Sequence, residues 1–373
     1  MTAFISTPLG LSSRVRSTPF TRRVEESGVS GYTVYNHMLL PTVFESMEDD
    51  YHHLKNAVQV WDVSCERQIE ITGPDSSWLV QMLTPRDLSK LEVGKCFYVP
   101  MVDENGGMLN DPVLLKITED KYWFSSSESD LIYWIKGLAW GLNLKAKVTE
   151  PDVSPLAVQG PRSDDLMAKI VGDHIRDLGF FRFKKFNFNS QELIIARSGY
   201  SKQGGFEIYV NDFRKGEEIW DTLFEAGQNL DVRAGCPNLI ERIESGLLSF
   251  GSDMTNENTP HESGLSKFCD TRNAIKCVGR DALLTEIENG PWRQIRFLSI
   301  SGPAVPPCRT MWEARKDNVV IGRVSSAAWS PDFQTNVAIG MIHREHWDPG
   351  TSLIIETPDG PREAQIMAKP FVQ

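Results

Sequence analysis

The sequence predicts an α+β fold in which two related α+β units are followed by a small C-terminal β-barrel or sandwich. The chain has 373 residues, which is enough for two or three domains. A Gly-Pro-x-Ser turn occurs at Gly73 and again at Gly160, each time between a predicted strand and a predicted helix. From about Ile295 the chain consists of short apolar runs separated by glycine and proline, a pattern typical of all-β structure.

The first unit is predicted from local signals. A capping-box pattern over residues 46–49 predicts a helix to about Val58. Asn105-Gly106 is a dipeptide typical of a tight hairpin turn. The other predicted elements of this unit are strands over 67–71, 97–102, 112–117 and 122–126, a helix that ends near residue 82, and an amphipathic helix over 128–142.

A similar order of elements recurs around Gly160. They are strands over 156–159, 183–188, 193–198 and 206–210, with helices over 160–171 and 212–227. We interpret this order as an internal duplication, with chance repetition as the alternative. The predicted elements that follow are a helix over 238–250 and barrel strands over 295–300, 319–324, 336–341 and 352–356.

Charge and composition argue against several classes of partner. The chain has 39 Lys and Arg against 50 Asp and Glu, a net charge of −11 that repels nucleic-acid phosphates and anionic lipid heads. We therefore expect neither nucleic acid nor a membrane as partner. None of the six cysteines forms a C-x-x-C pair, so we expect no metal site and a location in the reducing cytoplasm.

The N-terminal 24 residues are basic and contain no acidic side chain. They carry Arg14, Arg16, Arg22 and Arg23. This composition is compatible with a mitochondrial transit peptide or with an arm that lies across the domain. Because prolines interrupt any amphipathic stripe, the arm is the favoured interpretation.

Three polar segments are candidates for chemistry. They are residues 32–41, 104–112 and 196–209. The second is a hairpin with two glycines, followed by Asn110 and Asp111. The third joins two predicted strands and ends with Glu207 and Tyr209 on one strand face. Each segment is also compatible with a structural role, as an extended strand, a tight turn or a solvated loop.

The order of these segments resembles the aminomethyltransferase (T-protein) family of the glycine cleavage system. The resemblance runs from about Arg14 to the C-terminus and includes Trp329-Ser330-Pro331. Its most specific stretches are 32–41, 60–64, 105–112, 195–209 and 235–246. It implies a three-domain cloverleaf with a folate site at the centre. The implied domains are a split folate-binding α+β domain over 1–45 and 152–285, a second α+β domain over 46–151, and a C-terminal β-barrel over 286–373.

Within the family, the chain is more similar to the tetrahydrofolate-dependent demethylases. That similarity implies an enzyme that moves a methyl group from dimethylsulfoniopropionate to N5 of tetrahydrofolate. The implied products are 3-(methylthio)propionate and 5-methyltetrahydrofolate. Tetrahydrofolate is then a co-substrate, no metal is needed, the expected partners are small molecules, and a homodimer is allowed.

The resemblance assigns catalytic places to Asn110 and Asp111. In the wider family two aspartates stand here, and the first is the acid/base residue for transfer at the methylene level. An amide cannot accept a proton as a carboxylate does, and the demethylases also carry Asn at this place. Direct methyl transfer needs less help, because N5 is unprotonated at neutral pH. The protein then chiefly supplies alignment, which contributes up to roughly 7–11 kcal/mol in well-oriented cases.

The resemblance also implies two binding sets. The cofactor-binding set is Glu207, which would hydrogen-bond the pteridine ring, with Tyr209, Tyr98, Arg197 and Tyr200. The substrate-binding set is Tyr35, Asn36, His37, Ser125, Ser127, Ser129 and Lys202. We expect aromatic and dipolar contacts around the sulfonium rather than a tight carboxylate pair. Arg197 and Lys202 are candidate donors to the carboxylate of the substrate.

Three positions depart from the family patterns. Tyr200 stands where the demethylases carry Trp, and Phe206 stands where they carry Tyr. Asn238 stands where T-proteins place a folate-contacting Arg; nearby, Arg242 is expected either to compensate or to form an ion pair within its helix or between domains.

Two other functions stay open at this stage. A demethylase could keep the folate and use another donor, such as a betaine, dimethylglycine or an aryl methyl ether. A non-catalytic folate-binding protein of iron–sulfur cluster maintenance shares the fold. Those proteins carry a Lys-Gly-Cys motif, and no Lys-Gly precedes Cys236 here.

Overall fold

The computed structural model of the protein describes residues 10–126, 130–273 and 275–372. Its helices are α1 Thr21–Glu26, α2 Met47–Asn56, α3 Ser76–Met82, α4 Leu131–Gly141, α5 Ser163–Val171, α6 Gly216–Ala226, α7 Leu239–Ser245 and α8 Arg280–Asn289. Its strands before the barrel are β1 Gly31–Tyr35, β2 Met38–Val43, β3 Val58–Asp62, β4 Arg67–Thr72, β5 Cys96–Tyr98, β6 Met101–Val102, β7 Met108–Asn110, β8 Val113–Thr118, β9 Lys121–Ser126, β10 Lys147–Thr149, β11 Ser154–Gln159, β12 Phe183–Phe188, β13 Gln191–Ala196, β14 Gly205–Val210 and β15 Val232–Gly235. The barrel strands are β16 Arg293–Ile300, β17 Trp312–Lys316, β18 Val319–Ser330, β19 Thr335–His343, β20 Ser352–Thr357 and β21 Gly360–Met367.

Two sheets pack against each other and form the centre of the molecule. The five-stranded sheet has the order β10-β4-β9-β8-β5, and the six-stranded sheet has the order β12-β13-β14-β11-β3-β15. A shared apolar layer joins them, with Cys96, Leu115 and Trp123 from the first sheet and Ile194 and Tyr209 from the second. The rings of Trp123 and Tyr209 lie 5.9 Å apart. The faces that meet are therefore those that do not carry helices.

Helices cover the outer face of each sheet. One core packs α3 and α4 on the five-stranded sheet, and a second packs α5 and α6 on the six-stranded sheet. Successive side chains of a strand point to opposite faces. On β14, Phe206, Ile208 and Val210 enter the helix-side core, which turns Glu207 and Tyr209 towards the other sheet. The alternation in the sequence of β14 therefore agrees with its packing, and it places the side chains of Glu207 and Tyr209 in the interface between the two sheets.

The two Gly-Pro-x-Ser turns have matching structures. Gly73 has a φ of +120° and Gly160 a φ of +121°. Gly73 follows β4, which pairs antiparallel with β9, and Gly160 follows β11, which pairs antiparallel with β14. A Cβ atom at Gly73 would lie 2.5 Å from the carbonyl oxygen of Lys145, and one at Gly160 would overlap the carbonyl oxygen of Ala57. The same geometry and strand order in both units support the predicted internal duplication.

The C-terminal strands close into a barrel with the order β16-β19-β18-β17-β20-β21. A separate apolar core fills it, with Leu298, Val324 and Ile342 fully buried. The predicted barrel is confirmed, although the sequence analysis did not identify β17 and β21. Neither strand has an uninterrupted apolar run, because their inward residues alternate with charged ones.

Helix α7 is shorter than the prediction, which extended it to residue 250. Gly246 adopts a left-handed φ of +68°, and the N–H of Leu247 donates to the carbonyl of Arg242 at 2.8 Å. This arrangement is a helix C-terminal cap, so the chain leaves the helix after Ser245. At the other end, Asn238 accepts from the N–H groups of Ile240 and Glu241. Asn238 is therefore used as a helix cap.

Arg242 joins α7 to the barrel. Its guanidinium donates to the Asp253 carboxylate at 2.8 Å and to the Ser326 hydroxyl on β18 at 2.6 Å. This geometry agrees with the ion-pair interpretation. In the N-terminal arm, Arg16 pairs with Glu150 at 2.7 Å and Arg23 with Asp221 at 2.6 Å. These contacts agree with an arm that lies across the domain.

The predicted domain boundaries stay a prediction. One fact bears on them: β3, which lies inside the proposed second domain over 46–151, is an internal strand of the six-stranded sheet between β11 and β15. The chain therefore passes from one sheet to the other between Asp62 and Arg67.

A pair of glycine substitutions tests the second Gly-Pro-x-Ser turn, at Gly160. Gly160→Ala should lower the free energy of unfolding by more than ~1 kcal/mol, because the left-handed backbone and the nearby carbonyl exclude a side chain. Gly137→Ala is the control, since Gly137 lies in α4 with nothing within 4 Å of an added Cβ. It should stabilise by about 0.5–1 kcal/mol. Urea unfolding of both variants measures this, and equal effects would contradict the turn assignment.

Candidate active site

Glu207 lies at the centre of a polar cluster within the interface between the two sheets. Its side chain is 7 % exposed, and the Ser198 hydroxyl donates to its carboxylate. Burial raises the pKa of Glu207, and hydrogen bonds from Ser198 and Tyr209 only partly oppose that effect. A carboxylate in such a place needs hydrogen-bond donors from a ligand or a proton of its own.

A buried glutamine fixes the loop that carries Ser198. Gln159, at the end of β11, donates to the Ser198 carbonyl at 3.1 Å and accepts from the Ser201 hydroxyl at 2.8 Å. A side chain at Gly199 would overlap this amide. The glycines of the 196–209 segment thus allow the loop to close on Gln159, which holds Ser198 against Glu207.

Glu66 is the principal site residue that the sequence analysis missed. It lies between β3 and β4, and Ser125 on β9 donates to its carboxyl at 3.3 Å. Burial, followed by the charge of Glu207, raises the pKa of Glu66 to about 8, and Asp111 adds to the shift. Glu66 and Glu207 are therefore within electrostatic reach of each other. The only sequence signal for Glu66 is an acidic residue between the Val60–Ser64 stretch and a strand.

Two side-chain amides clamp the turn that carries Glu66. Asn36 donates to the Cys65 carbonyl at 2.9 Å. Gln68 donates to the Glu66 carbonyl at 3.0 Å and to the Ser125 hydroxyl at 2.8 Å. Asn36 belongs to the β1–β2 turn and Gln68 to β4, so side chains from two different elements hold the turn that carries Glu66.

The hairpin of β1 and β2 explains why Asn36 is inside and His37 is outside. Asn36 and His37 have φ angles of 51° and 65°, the left-handed pair typical of a two-residue type I′ turn. Asn36 is 6 % exposed, whereas His37 is exposed and lies 3.6 Å from Asp130. The predicted strand over this segment is therefore a hairpin, with Tyr35 half-buried just before the turn.

The β6–β7 hairpin supplies a second polar wall. Tyr98 donates to the Asp111 carboxylate at 2.6 Å, and its ring meets Phe268 edge-on at 5.0 Å. Burial and the neighbouring Asp111 raise the pKa of Tyr98 well above its ordinary value. Asn110, directly before Asp111, is fully buried on β7. Tyr98 and Asp111, assigned to different roles by the resemblance, are thus brought together.

Tyr200 forms an aromatic wall close to the same group. Its hydroxyl donates to the Leu248 carbonyl at 2.6 Å, and its ring packs on the cluster of Leu54, Trp61, Val63 and Ala157. Burial raises the pKa of Tyr200. Charges on Tyr35 and Asp111 also act on it, so these groups lie within electrostatic reach of one another.

Two buried polar atoms around the cluster have no hydrogen-bond partner among the described residues. They are Asn36 Oδ1 and Gln68 Oε1. Buried polar atoms are normally satisfied by protein, water or a ligand, so both can accept a hydrogen bond from a bound molecule. Both are amide acceptors whose nitrogens are already used by main-chain carbonyls. The cluster therefore suits a ligand with several N–H donors.

Two family models match this chain in succession. The GCVT N-terminal domain matches residues 20–273, and the glycine cleavage T-protein C-terminal barrel domain matches residues 293–373. The chain belongs to the glycine cleavage T-protein family. The resemblance stated from the sequence is thereby confirmed.

One curated relative and one solved structure extend the comparison. The chain is 54 % identical over 355 residues to "Dimethylsulfoniopropionate demethylase DmdA" of Ruegeria pomeroyi, which covers 95 % of this chain and 97 % of that protein. The structure matches aminomethyltransferase T of the glycine cleavage system from Bartonella henselae with a TM-score of 0.85, over 96 % of this chain and 98 % of that chain. At 22 % identity, the second comparison shows the fold alone.

Several residues assigned through T-protein resemblance lie away from Glu207. Arg197 pairs with Asp164 at 2.8 Å and stacks over the Phe206 ring, so it is on the helix side of the six-stranded sheet. Phe206 itself is in the core. Lys202 has an exposed side chain, and its main-chain N–H donates to Glu241 at 2.8 Å. Ser127 and Ser129 lie outside the described residues.

No cluster of three or more His, Cys, Asp and Glu side chains suited to a metal occurs within residues 10–126, 130–273 and 275–372. In the same part of the chain, no helix has the length and apolar character to cross a membrane.

The pH dependence of stability tests the environment of Glu66. Its folded pKa of about 8 lies above the ordinary 4.5, so stability from this group is fully present below the ordinary value and is lost as the pH rises to about 8. Glu66→Gln cannot ionise. Its free energy of unfolding should therefore rise relative to the unmodified protein between about pH 5 and pH 8 and then level off. Denaturant titrations at several pH values measure this difference.

The matched control is Glu70→Gln on β4, the strand that follows Glu66. Although burial acts to raise it, hydrogen bonds from Lys121 and Trp123 lower the pKa of Glu70. This variant should therefore show no rise over the same pH range. A stability difference for Glu66→Gln that does not change with pH would contradict the burial argument.

Proposed function

We propose that the protein is a tetrahydrofolate-dependent methyltransferase that demethylates dimethylsulfoniopropionate to 3-(methylthio)propionate and yields 5-methyltetrahydrofolate. The observation that carries the proposal is the 54 % identity, over nearly the full length of both chains, to a protein named as a dimethylsulfoniopropionate demethylase. The site described above supplies the independent support.

The residues present fit a pterin ring. Tetrahydrofolate presents several N–H donors along the edge of its fused ring. The Glu207 carboxylate, Asn36 Oδ1 and Gln68 Oε1 are acceptors in one buried cluster, and the latter two lack a partner among the described residues. A donor-rich ligand of this kind would satisfy them. Glu207 would hold the ring edge, with the Tyr209 hydroxyl beside it.

Direct methyl transfer requires that N5 and the methyl group be aligned, and it does not require a strong base. Tetrahydrofolate supplies the nucleophile N5, which takes the methyl group as the carbon–sulfur bond breaks and a neutral thioether leaves. Asn110 is fully buried and cannot accept a proton, so the family's methylene-level acid/base step has no carboxylate at that place. Asp111, to which Tyr98 donates at 2.6 Å, is the carboxylate that stands directly after Asn110.

Aromatic rings and carboxyl groups suit a cationic methyl donor. Tyr35, Tyr98 and Tyr200 lie around Asp111, and a ring face attracts an onium by about 0.5–2 kcal/mol. The two predicted donors to the substrate carboxylate differ in position. Arg197 is on the far side of the sheet, whereas Lys202 is exposed on the loop that also carries Tyr200. Lys202 is therefore the better candidate.

Turnover of defined substrates tests the proposal. The purified protein, given dimethylsulfoniopropionate and tetrahydrofolate under anaerobic conditions, should form equimolar methylthiopropionate and 5-methyltetrahydrofolate. Parallel reactions contain dimethylglycine or glycine betaine in place of the sulfonium. Turnover of dimethylglycine without any methylthiopropionate would replace the proposed donor while keeping the folate.

Glu207→Ala tests the folate pocket. The variant should lose measurable tetrahydrofolate binding, because it removes the acceptor that pairs with the ring edge. The control is Glu192→Ala on the adjacent strand β13, where Glu192 is exposed and pairs with Lys185. Calorimetric titration with tetrahydrofolate compares them. Unchanged affinity in Glu207→Ala would show that the pocket is elsewhere.

Asn110→Asp tests the claim that no base is needed at this position. The variant should show no gain in methyl transfer, and its stability should fall because the new carboxylate is buried. Asn105→Asp, in the exposed turn of the same hairpin, is the control. Steady-state kinetics with dimethylsulfoniopropionate decide the outcome, and a large gain in kcat for Asn110→Asp would contradict the alignment mechanism.

A further inference from the structure

We infer that a buried polar cluster between α7 and the barrel orients the ring of Tyr200 against the methyl donor. The cluster, named the Arg242 cluster below, consists of Arg242, Asp253, Ser325 and Ser326. This inference deepens the proposed function and rests on it, because it names the groups that position the aromatic wall of that site. They are positioning residues, since they act on the donor through Tyr200.

Asp253 is the centre of the cluster. Its Oδ1 accepts from the hydroxyls of Ser325 and Ser326 at 2.7 and 2.6 Å. Its Oδ2 accepts from the Arg242 guanidinium at 2.8 Å and from the main-chain N–H of Ser249 at 3.0 Å. The Asp253 side chain is buried. A buried carboxylate that receives four hydrogen bonds is held rigidly, and it fixes the groups that donate to it.

A β-bulge in β18 brings both serine hydroxyls to the same carboxylate. Val324 pairs with Gly340 on β19, and Ser326 pairs with the preceding residue, Ile339, so Ser325 is the extra residue between them. In a regular strand, neighbouring side chains point to opposite faces. Without the bulge, therefore, only one of the two hydroxyls could reach Asp253. The barrel strand is thus shaped at this point for a contact outside the barrel core.

The Arg242 cluster fixes the turn that follows α7. The Arg242 guanidinium donates to the carbonyl of Leu247 at 3.2 Å, and the N–H of Leu247 donates to the Arg242 carbonyl at 2.8 Å. Two residues later, the N–H of Ser249 is held by the cluster. The Leu248 carbonyl lies between these two fixed points, and it accepts from the Tyr200 hydroxyl at 2.6 Å. The cluster therefore sets the position of the acceptor that holds Tyr200.

The Tyr200 ring lies beside the candidate pterin-binding carboxyl. Ala157 on β11 is directly opposite both Glu207 on β14 and Trp61 on β3. Directly opposite residues share a sheet face, with Cβ atoms about 4.5–5.5 Å apart. Tyr200 packs on Trp61 and Ala157 and is only half-buried, so part of its surface is open to a ligand. A methyl donor aligned with a pterin held by Glu207 would meet this surface.

The orientation of the ring matters for a cationic donor. A cation is attracted to the face of an aromatic ring and not to its edge. The bond from the Tyr200 hydroxyl to Leu248 fixes which way the face points. Loss of that bond should therefore weaken binding of the donor more than binding of tetrahydrofolate, whereas a purely structural role of the cluster would affect stability alone.

A double-mutant cycle with dimethylsulfoniopropionate tests this link. Tyr200→Phe removes only the hydroxyl and should raise the KM for the donor about fivefold, the effect of one hydrogen bond. Asp253→Asn should raise this KM at least as much, with a smaller change in kcat. In the Tyr200→Phe background it should add less than about twofold, because both changes act through the same bond. Ser325→Ala keeps both charges and gives a second cycle should Asp253→Asn fail to fold.

Ser330→Ala is the matched control on the same barrel strand. The Ser330 hydroxyl is buried and donates to Glu244 of α7 at 2.5 Å, so this variant also loses a bond between the barrel and α7. Its KM for the donor should not change, and tetrahydrofolate affinity should stay within about twofold in all the variants. An equal rise of KM in Ser330→Ala, or effects of Tyr200→Phe and Asp253→Asn that simply multiply, would overturn the inference.

A second readout does not depend on turnover. In NMR spectra of protein with ¹³C-labelled tyrosine rings, the signal missing from Tyr200→Phe identifies Tyr200. That signal should shift in Asp253→Asn or Ser325→Ala and stay in place in Ser330→Ala. If it shifts but the unmodified protein demethylates no donor, the proposed function fails and the positioning of Tyr200 stands. If it does not shift, the positioning role fails even where the donor is demethylated.

Discussion

The packing of two helix-backed sheets on their open faces is the constraint on which the rest of the structure depends. An apolar layer around Trp123 and Tyr209 fills most of this interface and keeps water out. The few polar side chains at its margin are therefore desolvated, and their hydrogen bonds and charges count for more than at a surface. Glu207 lies on β14 of the six-stranded sheet, and Glu66 lies in the turn through which the chain passes from that sheet to the other, so the packing of the sheets brings the charge of Glu207 to bear on Glu66.

Three buried amides hold the site in place. Gln159 fixes the loop before β14, and Asn36 and Gln68 fix the turn before β4, in each case by donating to main-chain carbonyls. Such bonds set loop positions without using the groups that meet a ligand. A site of this kind is preorganised, which is what a reaction that depends on alignment requires. Two of the three amides keep an oxygen that has no partner among the described residues.

The protonation of the carboxyl groups connects the fold to the chemistry. On the β6–β7 hairpin, Asn110 is a fully buried amide, whereas Glu66 and Glu207 carry carboxyl groups. Burial favours the neutral forms of both carboxyl groups. The ion pair of Arg242 with Asp253 lies outside this group and serves to hold α7 against the barrel.

By itself the sequence determined the α+β units, the barrel, the family and the facing of Glu207 and Tyr209, because strand alternation and turn glycines act locally. Only the tertiary structure decided which polar residues meet. Arg197 and Glu207 are close in sequence, yet a sheet separates them, because Arg197 stacks on the helix-side ring of Phe206. Glu66 and Glu207 are 141 positions apart and share one site. No local pattern marks Glu66, since its role depends on the charge of a residue that the folding of the second sheet brings beside it.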